Sequence, residues 1–182
     1  MDSRSYSDSY PTSLGLSRRV LTVLTVLIKL NVLMGFLILA LLIASLVAEG
    51  AVMGALGVRG KGANSTLILG MRAIMVIGIC AVPVAYIILT RLLSMVDTVR
   101  NGDPFVAENA DRLQTIAWSV MGLELMHVVV GIVAARVSTV SQPLDIHWSF
   151  SVTRWLVVLL LFVLARVFDQ GTRMREELEA TV

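Results

Sequence analysis

The sequence predicts an all-α, polytopic membrane protein with four transmembrane helices, short loops and both termini in the cytoplasm. Two observations favour this fold class. The 182 residues are 57% hydrophobic and only 15% charged, with a mean hydropathy of +0.84, which is more apolar than a typical soluble domain. The apolar residues also fall into four stretches, each close to the roughly 20 residues that cross a bilayer core.

The four predicted spans cover residues 20–48, 67–93, 113–135 and 149–168, within one transmembrane domain at residues 18–168. Residues 1–17 are polar and rich in serine, which predicts a disordered cytoplasmic tail. In residues 169–182, Met174, Leu178 and Val182 recur every four residues between charged side chains. This spacing predicts a cytoplasmic amphipathic tail.

The connections between the spans carry turn signals. Five glycines in residues 49–66 oppose helix formation and predict a mobile loop. Pro83 falls near the middle of the second span, where its missing N–H predicts a kink. In the next connection, Gly102 can end one helix while Asp103 caps the following one, with Pro104 at its first position.

Basic residues predict the orientation, because short cytoplasmic loops are enriched in Lys and Arg. Nine basic residues fall on one side of the spans, namely Arg4, Arg18, Arg19, Arg91, Arg100, Arg112, Arg166, Arg173 and Arg175. Three fall on the other side, namely Arg59, Lys61 and Arg136. Both termini and the 96–111 loop are therefore expected in the cytoplasm. Because the basic residues are scattered, we expect no direct binding of nucleic acid.

Four ionisable residues fall within the predicted spans, where charge is costly and a function is the first hypothesis: Lys29, Arg72, Glu124 and His127. Lys29 and Glu124 lie about 14 and 18 Å from the cytoplasmic ends of their helices, so an ion pair is possible. Alternatively, Lys29 extends to the lipid headgroups while Glu124 is protonated or hydrogen-bonded to Asn31 or a hydroxyl. Extension to the outer headgroups also explains Arg72.

Glu124 and His127 lie three residues apart on one helix face. Carboxylate-bridged dimetal sites use this spacing, but they need the motif twice with two further glutamates, and the chain has one copy. We therefore expect no metal or other cofactor. The pair is either an internally satisfied polar pair or a proton-responsive couple. The two histidines also allow no nucleophilic triad, so no enzymatic activity is expected.

Two cytoplasmic segments resemble a known family. Gly102, Pro104 and Phe105 form a turn that is followed by Asn109 and by an Arg-Leu pair beginning at Arg112. The chain then ends with an aromatic residue, a glycine and an acidic tail closing in Thr-Val, namely Phe168, Gly171, Glu176, Glu177, Thr181 and Val182. Over about residues 20–182 the chain resembles the small four-span bacterial membrane proteins grouped as domain-of-unknown-function family 2975.

The resemblance implies a protein of the bacterial inner membrane with no established enzymatic activity. Genes of that family often neighbour one for a small helix-turn-helix DNA-binding protein, which implies a membrane partner that restrains such a regulator. The candidate docking residues are Gly102, Pro104, Phe105, Asn109, Arg112, Gly171, Met174 and Leu178. Both segments can instead lie on the membrane surface.

A second class of function stays open at this point. Glu124, His127 and Lys29 can line a polar path through a small oligomeric transporter or permeability module, in which case a homo-oligomer is expected. Only the third span carries an intramembrane acid, which counts against several polar faces meeting in a channel. The lipid bilayer is a partner under either hypothesis.

Overall fold

The computed structural model describes residues 11–48, 50–51, 54, 65–100, 106–137 and 151–179, without the side chains of residues 11–18, 65, 176, 178 and 179. Within these residues the chain forms four long α-helices and no strand, which confirms the predicted all-α fold. In chain order they are α1 (Pro11–Val47), α2 (Ser65–Arg100), α3 (Ala107–Val137) and α4 (Val152–Glu179).

Three helices in the described part of the chain are long and apolar enough to cross a membrane. They are Arg19–Val47 within α1, Thr66–Arg100 within α2, and Ala107–Val137, which is α3. These helices contain the first three predicted spans, as expected for an integral membrane protein. In α4, Arg154, Arg166 and Asp169 flank or interrupt the apolar stretch. The fourth span therefore stays a prediction.

The first helix begins earlier than the sequence predicts. It is helical from Pro11, so the predicted disorder of residues 11–17 is wrong, while residues 1–10 lie outside the described part. Proline suits a first helical turn because its fixed φ is helical and its missing N–H needs no partner there. After α1, Gly50, Ala51 and Gly54 are helical. Most other residues of the predicted glycine-rich loop lie outside the described residues.

Pro83 lies inside α2, which stays helical on both sides of it. Because proline has no N–H, the carbonyl of Ile79 loses its usual helical donor. The Asn31 side chain of α1 donates a hydrogen bond to the Val82 carbonyl (3.0 Å), directly before the proline. The Asn31 side chain of α1 thus contacts the backbone of α2 beside the proline, where one helical hydrogen bond is missing.

The third helix begins later than predicted. Val106 is outside the helix and α3 starts at Ala107, so the predicted start at Pro104 is wrong. The Asn109 N–H donates to the Val106 carbonyl (3.0 Å) and closes the first turn. Gly102, Asp103, Pro104 and Phe105 lie outside the described residues.

The last helix runs without interruption from Val152 to Glu179 and passes through Gly171. The predicted fourth span and the amphipathic tail that follows it therefore lie on one continuous helix over the described residues. Glycine inside a helix costs about 1 kcal/mol relative to alanine, which tertiary packing readily offsets. Here Thr172 is buried, and its hydroxyl donates to the Phe168 carbonyl (3.0 Å) across the predicted boundary.

The helices pack antiparallel in chain order. α1 packs on α2, α2 on α3 and α3 on α4, and no other pair of described helices is in comparable contact. The beginnings of α1 and α3 therefore lie on the same side as the ends of α2 and α4. We call this the termini side, marked by Pro11, Arg100, Ala107 and Glu179.

One stripe of α1 faces α2, and the rest of that helix is exposed. The less exposed residues recur at alternating intervals of three and four, the spacing of helices that pack at a shallow angle. They are Leu21, Leu24, Ile28, Asn31, Gly35, Ile38, Leu42 and Ser45. The exposed remainder after Lys29 is apolar, which suits contact with lipid.

Two glycines allow close helix contacts. A Cβ at Gly35 of α1 would lie 2.9 Å from Cγ1 of Val82, and a Cβ at Gly70 of α2 would lie 3.0 Å from Cγ1 of Val137. Small residues at helix contacts let backbones approach closely, which is how membrane helices gain packing energy without a hydrophobic driving force between them.

Candidate functional site

Asn109, in the first turn of α3, is the centre of a buried hydrogen-bond cluster. Its side chain is fully buried, with 0% exposure. Its Oδ1 accepts a hydrogen bond from Nη1 of Arg112 (2.8 Å) and lies 3.0 Å from the Thr98 hydroxyl near the end of α2. Nη1 of Arg112 is also 3.3 Å from the Thr98 hydroxyl oxygen. We call Thr98, Asn109 and Arg112 the Asn109 cluster.

The cluster ties the end of α2 to the start of α3. Asn109 and Arg112 share one helix face because they lie three residues apart. Thr98 can donate its hydroxyl proton to the Ser94 carbonyl (2.8 Å) and still accept from Arg112. Full burial leaves Asn109 no surface for a partner, so its predicted docking role is corrected to positioning. The cluster fixes both ends of the 101–105 connection.

The structure describes only some of the other docking candidates. Met174 is 60% exposed on α4, and Gly171 is partly buried in the same helix. Met174 follows Val167 by seven residues and thereby continues the exposed apolar face of α4. The Leu178 side chain lies outside the described part, as do the residues of the 101–105 connection.

A polar cavity of about 410 Å³ lies between the start of α3 and the second half of α4, on the termini side. Asp111 and Gln114 line it from α3, and Arg166, Asp169 and Arg173 line it from α4. Oδ2 of Asp169 is 3.9 Å from Nη1 of Arg166, and its Oδ1 is 3.3 Å from Nε of Arg173. One carboxylate therefore holds two guanidinium groups at the cavity wall.

At membrane depth, Glu124 of α3 pairs with Arg154 of α4 and not with Lys29. Nε of Arg154 is 3.7 Å from Oε2 of Glu124. Lys29 is exposed on α1, which packs on α2 and is not a close neighbour of α3. The alternative bond from Glu124 to Asn31 is also absent, because Asn31 donates to the α2 backbone. Lys29 and Glu124 lie at similar depths in the membrane, but their helices are not neighbours, and so the two side chains do not meet.

Arg72 has partners inside the protein and does not simply extend to the headgroups. Its Nε donates to the Ser45 hydroxyl (3.0 Å), and its Nη2 donates to the Ser45 carbonyl (2.6 Å). The Ser45 side chain is fully buried at the end of α1. Arg72 thereby satisfies one of the last carbonyls of α1, which have no partner within their own helix.

His127 lies one turn after Glu124, and its Nε2 is buried without a hydrogen-bond partner among the described residues. The interpretation of Glu124 and His127 as an internally satisfied pair is therefore wrong for this nitrogen. Within the described part of the chain, no group of three or more His, Cys, Asp or Glu side chains is placed to hold a metal ion.

Sequence reasoning missed Thr98, Ser45 and the pairing role of Arg154. Thr98 and Ser45 carry ordinary hydroxyls that helices often bond to their own backbone. The pairing of Arg154 with Glu124 could have been predicted, because an arginine and a glutamate on adjacent apolar helices are expected to form an ion pair in lipid. Helices joined by one short loop are usually neighbours.

The fold and these contacts define a class: an integral membrane protein of antiparallel helices with polar clusters at the termini side and at membrane depth. Residues 48–182 match the family described as "Protein of unknown function (DUF2975)". Because the match covers more than half of the chain, the protein belongs to this family. The matched residues begin after α1, later than the expected residue 20. No curated protein and no solved structure matches significantly.

Proposed function

We propose that the protein is a regulatory partner in the bacterial inner membrane that holds a small helix-turn-helix transcription regulator at its cytoplasmic, termini side. The gene neighbourhood implied by the family resemblance suggests the type of partner. The excess of basic residues near the termini side supports its cytoplasmic orientation. Enzymatic activity is not part of the proposal.

The exposed apolar face of α4 carries the proposal. This face runs through Leu156, Leu160, Val163 and Val167, all at least about half exposed, and continues to Met174. α4 extends about 16 Å beyond Phe168, where the apolar stretch ends. Lipid can cover the earlier residues, but Met174 lies among charged residues at the water side. An apolar side chain on a rigid helix at that place suits a groove in a cytosolic partner.

The neighbouring contacts favour one continuous docking surface. The Asn109 cluster fixes both ends of the 101–105 connection, in which Gly102, Pro104 and Phe105 are predicted contact residues. Ala110 and Asp111 of the same turn line a cavity with Asp169 and Arg173 of α4. The start of α3 and the second half of α4 are therefore close enough for one partner to touch both.

The transporter alternative has less support. Its three polar residues lie on two helices that are not close neighbours, since Lys29 is on α1 while Glu124 and His127 are on α3. Glu124 also lies within ion-pair distance of Arg154. A conducting path would require a second copy to bring Lys29 to the other two residues.

The proposal is tested by affinity purification of the tagged protein from native membranes in mild detergent. We expect a small DNA-binding protein to co-purify, and Met174→Glu to remove it because an acidic side chain cannot fill an apolar groove. Arg175→Glu is the matched control, since it places the same residue one position away on a different helix face. Retention of the regulator by Met174→Glu would contradict docking through α4.

A further inference from the structure

The cavity between α3 and α4 combines opposite charges in equal number. Arg166 and Arg173 each carry a positive charge, and Asp111 and Asp169 each carry a negative charge, so the formal charge of the lining sums to zero. Arg166 and Arg173 are 75% and 71% exposed at their side chains. Nε of Arg173 and Nη1 of Arg166 approach Asp169, and within the described part of the chain the other guanidinium N–H groups of both arginines remain available to a ligand.

The cavity is also graded from apolar to charged along α4. Phe162 lines its inner end and packs edge-on against Trp118 of α3, with ring centroids 5.2 Å apart. Arg166, Asp169 and Arg173 follow at intervals of four, three and four residues on the same helix face. Aromatic side chains towards the middle of α4 and charged side chains towards its end are the arrangement expected of a site at the level of the lipid headgroups.

We infer that this cavity binds a phosphate ester that carries a primary amine, the headgroup chemistry of phosphatidylethanolamine. Arg166 and Arg173 would donate to the phosphate oxygens, since guanidinium forks match phosphate geometry. Asp111 and the Gln114 carbonyl oxygen would accept from the ammonium group. A volume of about 410 Å³ lies within the range of small-molecule sites. The net charge of zero favours a zwitterion over a simple anion.

The cavity lies within the proposed docking surface, but the lipid inference rests on Arg166 and Arg173 while the docking proposal rests on Met174. Arg166 and Arg173 contact the cavity, whereas Met174 lies one position further around the helix and is exposed. A regulator can be absent while the lipid site is intact, and the reverse is equally possible. The two proposals therefore fail on different experiments.

Native mass spectrometry of the delipidated full-length protein tests the inference. Phosphatidylethanolamine, phosphatidylglycerol and phosphatidylcholine with the same acyl chains are added separately. We expect phosphatidylethanolamine to bind about tenfold more tightly than the other two. The double variant Arg166→Gln and Arg173→Gln should lose about tenfold, since a charge-assisted hydrogen bond is worth at least one such step. Arg100→Gln, on the same side but outside the cavity, should change nothing.

Asp111→Asn gives the sharper result, because it leaves the arginines in place and removes the negative charge beside the ammonium group. We expect this variant to lose its preference for phosphatidylethanolamine over phosphatidylcholine and to gain affinity for phosphatidylglycerol. Equal binding of all three lipids by the unchanged protein, or a preference for phosphatidylglycerol, would overturn the inference. So would affinities that the double arginine variant leaves unchanged.

Competition with soluble glycerophosphoethanolamine shows whether the ligand is a free headgroup compound or a lipid of the bilayer. If it displaces the lipid at similar concentration, the site recognises the free headgroup and a soluble ligand is supported. If only the lipid binds, with Trp118 and Phe162 contacting its chains, the ligand comes from the bilayer. Replacing Phe162→Ala should then weaken lipid binding several-fold without changing the headgroup preference.

Discussion

At the scale of single residues, Asn109 is the buried centre of the hydrogen-bond cluster that joins α2 to α3. Its buried oxygen is the common acceptor for the Arg112 guanidinium and a close neighbour of the Thr98 hydroxyl. A buried polar group without a partner costs more free energy than a satisfied hydrogen bond contributes. The start of α3 therefore depends on this one amide.

We predict that Asn109→Ala lowers the free energy of unfolding by about 1–3 kcal/mol, because it removes the buried acceptor of the Arg112 guanidinium. Thermal unfolding in detergent would measure the loss. Gln114→Ala, on the exposed side of the same helix, serves as the control and should change stability by less than about 0.5 kcal/mol. Equal effects of the two variants would show that the cluster contributes nothing specific.

The ion pair of Glu124 and Arg154 makes a second residue-scale prediction. A double-mutant cycle with Glu124→Gln and Arg154→Gln should show a coupling energy of about 0.5–3 kcal/mol, because the two side chains are in contact. The same cycle with Lys29→Gln and Glu124→Gln should be additive. Coupling to Lys29 instead of Arg154 would contradict the helix order described above.

The sequence identified Asn109 and Arg112 as a motif, and Glu124 as a costly intramembrane charge. It did not identify what they touch. Thr98 resembles any other helical threonine, so nothing in the residue type marked it as a partner. Lys29 and Glu124 matched by depth, but depth along a helix says nothing about which helices are neighbours. Contacts between helices depend on packing that local patterns do not encode.

At the scale of helices, Gly70 of α2 packs tightly against Val137 of α3. A Cβ there would overlap the Val137 side chain, whereas a Cβ at Gly122 meets no heavy atom within 4 Å. Alanine is otherwise favoured over glycine in a helix by about 1 kcal/mol. Alanine at Gly122 therefore changes helix propensity alone, whereas alanine at Gly70 also changes the packing of α2 against α3.

We predict effects of opposite sign for the two alanine substitutions. Gly122→Ala should raise stability by up to about 1 kcal/mol, while Gly70→Ala should lower it by about 1–3 kcal/mol through overpacking. Adding Val137→Ala to Gly70→Ala should restore part of the loss, because it removes the overlapping methyl groups. Stabilisation by both substitutions, measured by chemical unfolding, would show that α2 and α3 pack less closely than described.

Helix boundaries were harder to predict than helix existence. Hydropathy located the first three spans because burial in lipid needs a long apolar run. The charged residues after Phe168 set the predicted end of the fourth span, and α4 continues past them as a helix to Glu179. Gly171 lies inside α4 beside buried Thr172, whose hydroxyl donates to the Phe168 carbonyl.

At the scale of the whole molecule, the helices form an open series in which each packs on its chain neighbours. Such an array leaves wide apolar surfaces for lipid and concentrates polar contacts at a few places. The Asn109 cluster and the α3–α4 cavity lie on the termini side, where Met174 is also exposed. A membrane protein that acts on a cytosolic partner would need its rigid features on that side.

The central claim is that the end of α4 contacts a small DNA-binding protein in the cell. A photo-crosslinking amino acid at position 174 tests it directly, with the same group at Val129, exposed on the apolar surface of α3, as the control. We predict one crosslinked product from position 174 that contains a small helix-turn-helix protein, and none from position 129. Crosslinks from position 174 only to lipid or to a second copy of this chain would contradict the claim.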